Sequence, residues 1–217
     1  MTRDQLASMI DHTLLRPDAA RDDMAKLCRE AVEYGFASVC VNPIWVHFCS
    51  GRLKDRKPLV CTVIGFPLGA SVCMAAEAET AVARGAEELD MVIPIGLLKS
   101  GLVRQTADCI SSVVAASQGA PVKVIVETCL LTREEKVLAC RTAMDNGASW
   151  VKTSTGFSTG GATAEDVALM KEVVGTRLGV KASGGIRTVD DALRMIEAGA
   201  GRLGCSGSVR IIDSLEE

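Results

Sequence analysis

The chain has 217 residues, enough for one large domain, and its 48% hydrophobic content indicates a sizeable core. Its formal net charge is −3 and it has no basic run, which excludes nucleic-acid binding and attachment to anionic membranes as primary roles. Its start is charged where a signal peptide would be apolar, and no window is apolar for long enough to cross a membrane, so we expect a cytoplasmic protein.

Short apolar segments recur along the chain and predict eight β-strands. They are rich in Val and Ile and apolar on both faces, as strands buried in a parallel sheet should be. In chain order they are residues 9–15, 37–43, 59–66, 89–96, 122–128, 150–155, 179–185 and 202–207.

Segments with helical periodicity separate these strands. Residues 132–148, 163–175 and 188–200 each begin with a threonine that can cap a helix, followed by an acidic first turn. Thr132 and Glu135 have the spacing of a capping box. Glycines that suit left-handed C-caps precede several strands, at Gly35, Gly85, Gly147 and Gly199. The alternation predicts one (β/α)8 barrel over residues 1–217; a doubly wound open sheet, which usually has fewer strands and a defined edge, is the alternative.

Two lysines interrupt apolar strands in matching sequences, Lys152 in VKTSTG and Lys181 in VKASGG. A buried ammonium is costly unless it is paired. On neighbouring strands the two groups would approach each other, and a like charge and partial burial both lower a lysine pKa. The resulting neutral amine is the nucleophile of Schiff-base chemistry. Alternatively, each lysine forms a structural ion pair with a carboxylate.

Acidic side chains in or after the predicted strands are candidate partners. Asp90 lies inside the fourth strand, where it could transfer protons or serve as a counter-ion for either lysine. Asp11 and Glu127 end strands and are further candidates, although each could instead cap a helix or accept a loop hydrogen bond. Lys123 begins its strand, so we expect it to face solvent at the opposite end of the barrel.

Glycines after the last two strands suggest a phosphate site, because such loops frequently bind phosphate in barrels of this type. Gly184 and Gly185 follow the seventh strand, and residues 204–207 read Gly-Cys-Ser-Gly. Arg187 could add positive charge there or lie on the helix surface.

Cysteine usage gives no support for a disulfide framework or a zinc site. The nine cysteines are spread along the chain with no C-x-x-C pair, and there are only two histidines. We therefore expect reduced thiols that pack as small apolar groups, and no metal.

Taken together, these segments resemble deoxyribose-phosphate aldolase, a family of class I, Schiff-base aldolases. The matching stretches run nearly from end to end: IDHTLLRPDA, SVCVNP, ELDMVI, VKVIVETCLLT, VKTSTGF, VKASGGIRT and RLGCSG. VKTSTGF followed by K-x-x-G-G-[VI]-R is highly specific to that family.

The resemblance implies a (β/α)8 barrel that reversibly cleaves 2-deoxy-D-ribose 5-phosphate to D-glyceraldehyde 3-phosphate and acetaldehyde in deoxyribose phosphate catabolism. It also implies a homodimer that uses no metal or organic cofactor. By position, Lys152 resembles the residue that forms the Schiff base, Lys181 the second lysine that keeps the first one neutral, and Asp90 the proton-relay acid. The positions that resemble the family's phosphate-binding residues are Gly156, Gly184, Gly185 and Ser206.

The chain departs from the family pattern at Pro94, where relatives often have Asn, and at Gly207, where they usually have Ala or Ser. It stops at residues 214–217, SLEE, whereas some relatives carry a longer tail that ends in Tyr. We expect these changes to affect affinity but not the reaction type. Two other functions stay open: another phosphosugar enzyme, such as an isomerase or a different Schiff-base aldolase, and a catalytically silent barrel that binds phosphometabolites or a partner protein.

Overall fold

A closed barrel of eight parallel strands is the centre of the protein. The computed structural model describes residues 1–215, and the sequence prediction for Glu216 and Glu217 lies outside these residues. Each strand pairs with the next one in the chain, and the last pairs with the first. The strands are β1 Ile10–Leu14, β2 Ser38–Val41, β3 Leu59–Ile64, β4 Glu88–Val92, β5 Val122–Ile125, β6 Trp150–Lys152, β7 Gly179–Ser183 and β8 Arg202–Cys205. The predicted barrel is confirmed, because an open sheet would not pair β1 with β8.

Helices connect the strands around the outside of the barrel. In the described residues they are α1 Arg3–Ala7, α2 Arg21–Tyr34, α3 Val46–Leu53, α4 Met74–Ala83, α5 Ile95–Lys99, α6 Val103–Ala116, α7 Arg133–Asp145, α8 Ala164–Val174, α9 Val189–Glu197 and α10 Ser208–Asp213. Single 3-10 turns lie at Pro43–Trp45 and Thr128–Leu130. No helix among residues 1–215 has the length and apolarity that a membrane span needs.

The predicted helix caps are present. Thr132 accepts a hydrogen bond from the backbone N–H of Glu135, which completes the capping box of α7. Thr163 accepts a hydrogen bond from the N–H of Asp166 and so caps α8, and Thr188 with Asp191 forms a capping box at α9. Gly35 follows α2 with φ 69°, the left-handed conformation expected of a C-cap glycine.

All eight strands end earlier than the sequence pattern predicts, and the fourth differs most. The fourth strand does not continue to residue 96 but ends at Val92, and Pro94 then precedes the short helix α5. Proline has no N–H to donate to a ladder, so the apolar residues after it enter a helix instead. The sixth and eighth strands likewise end at Lys152 and Cys205.

The inside of the barrel is polar. Apolar side chains fill the layer between the strands and the helices, with Phe36 and Met24 fully buried there. Barrel interiors are usually filled with branched apolar residues. Here the strands instead bury charged side chains, namely Asp11, Glu88, Asp90, Lys123, Lys152 and Lys181.

Candidate active site

The two lysines singled out by the sequence lie side by side. Lys152 is the last residue of β6, and its Cα partner on β7 is Lys181. Both ammonium groups donate to the same oxygen, Oδ2 of Asp90, at 2.6 Å from Lys152 and 2.7 Å from Lys181. The structure therefore brings together three side chains that are up to 91 residues apart in the chain.

Asp90 is the centre of this cluster and is fully buried on β4. Its second oxygen, Oδ1, accepts hydrogen bonds from Lys123 Nζ at 3.0 Å and from the Cys61 thiol at 3.2 Å. Burial opposes ionisation of this carboxyl group, but the surrounding lysines outweigh it and hold the pKa of Asp90 well below its usual value. Asp90 is thus an ionised carboxylate at neutral pH.

Lys181 is held as an ammonium. Its Nζ contacts Asp11 Oδ2 as well as Asp90. Burial disfavours the charge, but the carboxylates of Asp11 and Asp90 outweigh it and raise the pKa of Lys181 well above its usual value. The like-charge effect expected from the sequence does not neutralise this lysine, so it provides a fixed positive charge beside Lys152.

The prediction for Lys123 is wrong. It does not face solvent at the far end of the barrel but is fully buried in the interior, with Nζ 2.8 Å from Glu88 Oε2 and 3.0 Å from Asp90 Oδ1. Position at the start of a strand does not imply exposure in a closed barrel, because the tilted strands bury side chains near both ends. Burial opposes its charge, but mainly Asp90 raises the pKa of Lys123 above its usual value.

Arg202 and Glu88, which the sequence pattern does not single out, complete the network. Arg202 Nη1 contacts Asp11 Oδ1 at 2.7 Å, and Nη2 contacts Glu88 Oε1 at 3.0 Å. Asp11 lies within β1 rather than at its tip, and although burial opposes its ionisation, Lys181, Lys123 and Arg202 lower the pKa of Asp11 to about 2. The spacing of Glu88 and Asp90 was an available signal, since residues two apart on a strand share a face.

The ion pairs single out one cation. Within residues 1–215, Lys152 contacts one carboxylate, whereas each of the other three cations of the network contacts two. Lys152 is also 3% exposed, while Lys181 is 0% exposed. Loss of a proton from Lys152 therefore sacrifices the fewest ion pairs.

The predicted phosphate-binding glycines lie on two loops that touch each other. Gly184 has φ +85°, and a Cβ atom there would lie 3.0 Å from the Cα of Gly161 and 3.5 Å from the Cα of Gly156. A side chain at this position is strained by the positive φ and crowded by the neighbouring loop. The loops after β6 and β7 thus approach closely, and Gly156 and Gly185 also have positive φ.

The loop after β8 is more exposed. Ser206 lines a surface cavity of about 500 Å³ together with His12, Lys26 and Arg210. Arg187 is exposed next to α9, where its backbone N–H donates to Asp191.

Glu127 positions the loop after β6. Its Oε2 accepts a hydrogen bond of 2.5 Å from Thr155 Oγ1, and Thr155 N lies 3.3 Å from both carboxylate oxygens. The simpler alternative, that Glu127 is a loop hydrogen-bond acceptor, therefore describes its contacts. Nearby, the buried Ser154 hydroxyl has no hydrogen-bond partner within residues 1–215.

A closed parallel barrel with a polar interior, in which Lys152 ends its strand beside Lys181, is the architecture of a TIM-barrel enzyme whose active site lies at the carboxyl ends of the strands. The comparison with protein-family models identifies the family of TIM-barrel enzymes. The chain belongs to the DeoC/LacD family of aldolases, whose model matches residues 6–209, and it is a carbon–carbon lyase.

Similar proteins agree with this assignment. A deoxyribose-phosphate aldolase of Bacillus mycoides is 55% identical over 210 residues, which cover 95% of this chain and 94% of that protein. One from Carboxydothermus hydrogenoformans is 56% identical over 217 residues, covering 97% and 95%. The tetrameric deoxyribose phosphate aldolase of Aeropyrum pernix superposes with a TM-score of 0.92 at 36% identity, covering 98% of this chain and 92% of that chain.

Proposed function

We propose that the protein reversibly cleaves 2-deoxy-D-ribose 5-phosphate to D-glyceraldehyde 3-phosphate and acetaldehyde through a Schiff base on Lys152. The observation that carries the proposal is the pair of lysines that share one oxygen of Asp90. The relatives named deoxyribose-phosphate aldolase, at 55% and 56% identity over nearly the full chain, support the choice of substrate.

Lys152 is the nucleophile in this proposal. Schiff-base formation needs a neutral amine, and Lys152 gives up a single ion pair when it loses its proton. Lys181 remains an ammonium because two carboxylates hold it, so its charge disfavours a second charge on the neighbouring amine.

Asp90 transfers the protons, with the ammonium group of Lys181 fixed beside it. The amine attacks the C1 carbonyl of the open-chain sugar, and loss of water from the carbinolamine gives an iminium. The C2–C3 bond then breaks, its electron pair moves into the iminium to form an enamine, and the C3 hydroxyl loses its proton as glyceraldehyde 3-phosphate leaves. Protonation of the enamine at C2 and hydrolysis release acetaldehyde. The carboxylate of Asp90, 2.6 Å from Lys152 Nζ, is within reach for these transfers.

The loops at the strand ends hold the substrate phosphate. Glycine in these loops lets an anion approach the backbone N–H groups closely. The residues assigned to this role are Gly156, Gly184, Gly185 and Ser206. Phosphate binding fixes the position of the sugar relative to Lys152.

The chemistry needs no metal or organic cofactor, since the iminium itself is the electron sink. We further propose that the enzyme works as a homodimer in the cytoplasm, in deoxyribose phosphate catabolism. Light scattering on the purified protein tests the dimer. A tetramer, the assembly named for the relative from A. pernix, would overturn it.

Reductive trapping tests the Schiff base. The protein is incubated with acetaldehyde and borohydride, and peptides are mapped by mass spectrometry. We expect an added ethyl group on the peptide that contains Lys152. Lys54→Ala, which removes an exposed lysine, is the matched control and should retain the adduct, whereas Lys152→Ala should lose it.

The same experiment separates the alternatives. In a silent barrel the lysines would stay ion-paired with Asp90, the arrangement seen here, and no adduct would form on a folded sample. An adduct at Lys152 without turnover of 2-deoxyribose 5-phosphate would instead indicate a Schiff-base aldolase for another sugar.

A further inference from the structure

Two cysteines lie beside the catalytic carboxylate inside the barrel. Cys40 on β2 and Cys61 on β3 are Cα partners in adjacent parallel strands, and both are fully buried. Their Sγ atoms and a carboxylate oxygen of Asp90 all lie within 4.8 Å of one another. The mechanism proposed above uses neither thiol.

This set of ligand atoms suits a soft divalent cation. Zinc and cadmium prefer thiolates, and three protein ligands that leave a fourth position open are sufficient for a tetrahedral ion. The three residues lie on three neighbouring strands, β2, β3 and β4. Pairing of these strands therefore brings together residues that are far apart in the sequence.

The charge balance of the site permits a divalent cation to replace the thiol protons. Two thiols release two protons when they bind one divalent cation, so the net charge of the buried cluster does not change. Lys123 Nζ already lies 3.5 Å from Cys61 Sγ and would stabilise a thiolate there. The ion therefore adds no uncompensated charge to the interior.

Occupation of this site would change the partners of Asp90. The oxygen that faces the thiols is Oδ1, so an ion bound there would displace Lys123 from it. The ion would also draw negative charge away from the carboxylate whose Oδ2 holds Lys152 and Lys181. The geometry points to an inhibitory site for a thiophilic divalent cation, with Cys40, Cys61 and Asp90 as ligands. The inhibition rests on the proposed function, whereas the binding does not.

Cadmium titration followed by ultraviolet absorption tests the binding directly. Cadmium–thiolate bonds absorb strongly, so the native protein, kept free of thiol reductants, should develop this band and saturate at one ion per chain. Cys40→Ala and Cys61→Ala should each lose most of the band, with folding checked by circular dichroism. Proton release of two per ion, measured in weak buffer, is expected for the native protein alone.

A second buried cysteine pair provides the matched control. Cys28 on α2 and Cys49 on α3 are also buried near each other, in the helical layer. Cys28→Ala should bind cadmium like the native protein. A band that disappears in Cys28→Ala, that survives in Cys40→Ala and Cys61→Ala, or that never forms would overturn the site.

Inhibition is measured separately, with zinc and 2-deoxyribose 5-phosphate. Stoichiometric zinc should lower turnover of the native enzyme at least tenfold, and a chelator should restore it. The fractional inhibition of Cys40→Ala, relative to its own metal-free rate, should be much weaker. Zinc that binds as predicted without slowing a working native enzyme would overturn the inhibitory role. A protein inactive without metal would contradict the proposed function and leave the cadmium result to decide the site.

Discussion

Lys123 and Lys152 carry the same ammonium group at two levels of one barrel and differ in their surroundings. Lys123 is fully buried between two carboxylates, whereas Lys152, 3% exposed, contacts Asp90 as its one carboxylate within residues 1–215. Lys152 is the Cα partner of Ile125, two positions further along β5 than Lys123 and thus nearer the carboxyl ends of the strands. A lysine enclosed by carboxylates is a structural cation, and a lysine at the edge of the same network is available for chemistry.

The largest effect on turnover is expected from replacement of Lys152. Lys152→Ala should lower turnover of 2-deoxyribose 5-phosphate by at least about 10⁴-fold, because it removes the nucleophile. The free energy of unfolding should change less than in the loss of Lys123, since the substitution breaks one ion pair and Asp90 keeps its contacts to Lys123 and Lys181. Steady-state kinetics and urea unfolding measure the two effects. Activity above about a hundredth of native would contradict the assignment.

Replacement of Lys123, the enclosed lysine, should lower the free energy of unfolding strongly. Lys123→Met leaves Glu88 and Asp90 buried without their shared cation, and breaking a buried pair in this way costs about 3–5 kcal/mol. Urea unfolding measures the loss. Lys54→Met, at an exposed position, should stay within about 0.5 kcal/mol of native. Equal stability of the two variants would mean that the interior network is not structural.

A smaller effect is expected in the loops. Gly184→Ala should raise the KM for 2-deoxyribose 5-phosphate more than it changes kcat, because a Cβ there meets Gly161 and displaces the proposed phosphate loop. The backbone strain should cost about 1–3 kcal/mol. Gly35→Ala, also at positive φ but with open space around it, should lower stability without changing KM. An unchanged KM in Gly184→Ala would remove this loop from the phosphate site.

The smallest effect contrasts the two faces of β1. Asp11 faces the barrel interior, and the next residue, His12, packs outside against Glu30 and Ser208. Burial, only partly offset by Glu30, lowers the pKa of His12 below its usual 6.5. The unfolded chain then binds a proton at a higher pH than the folded one, so stability should fall as pH drops below about 6.5.

His12→Gln should flatten this part of the stability profile, measured by urea unfolding between about pH 7.5 and 5.5. A variant whose stability falls as steeply as that of the native protein would show that other groups cause the dependence.

Local patterns were sufficient to predict most of the fold. Apolar strands, threonine caps and glycine stops act over a few residues, so the order of strands and helices could be derived without tertiary contacts. The errors were at strand ends, where Pro94 redirects an apolar segment into a helix. The lysine pair was also predictable, because matched positions on consecutive parallel strands become neighbours.

The sequence by itself thus determined the barrel, its caps and the placement of Lys152 beside Lys181, since each depends on periodicity or on adjacent strands. Only the tertiary structure decided that Asp90 contacts Lys123 as well as both predicted lysines, that Lys123 is buried, and that Cys40 and Cys61 approach the same carboxylate. Those contacts cross a closed interior, where strand tilt and register determine which side chains share a level, and neither quantity is encoded in a short stretch of the chain.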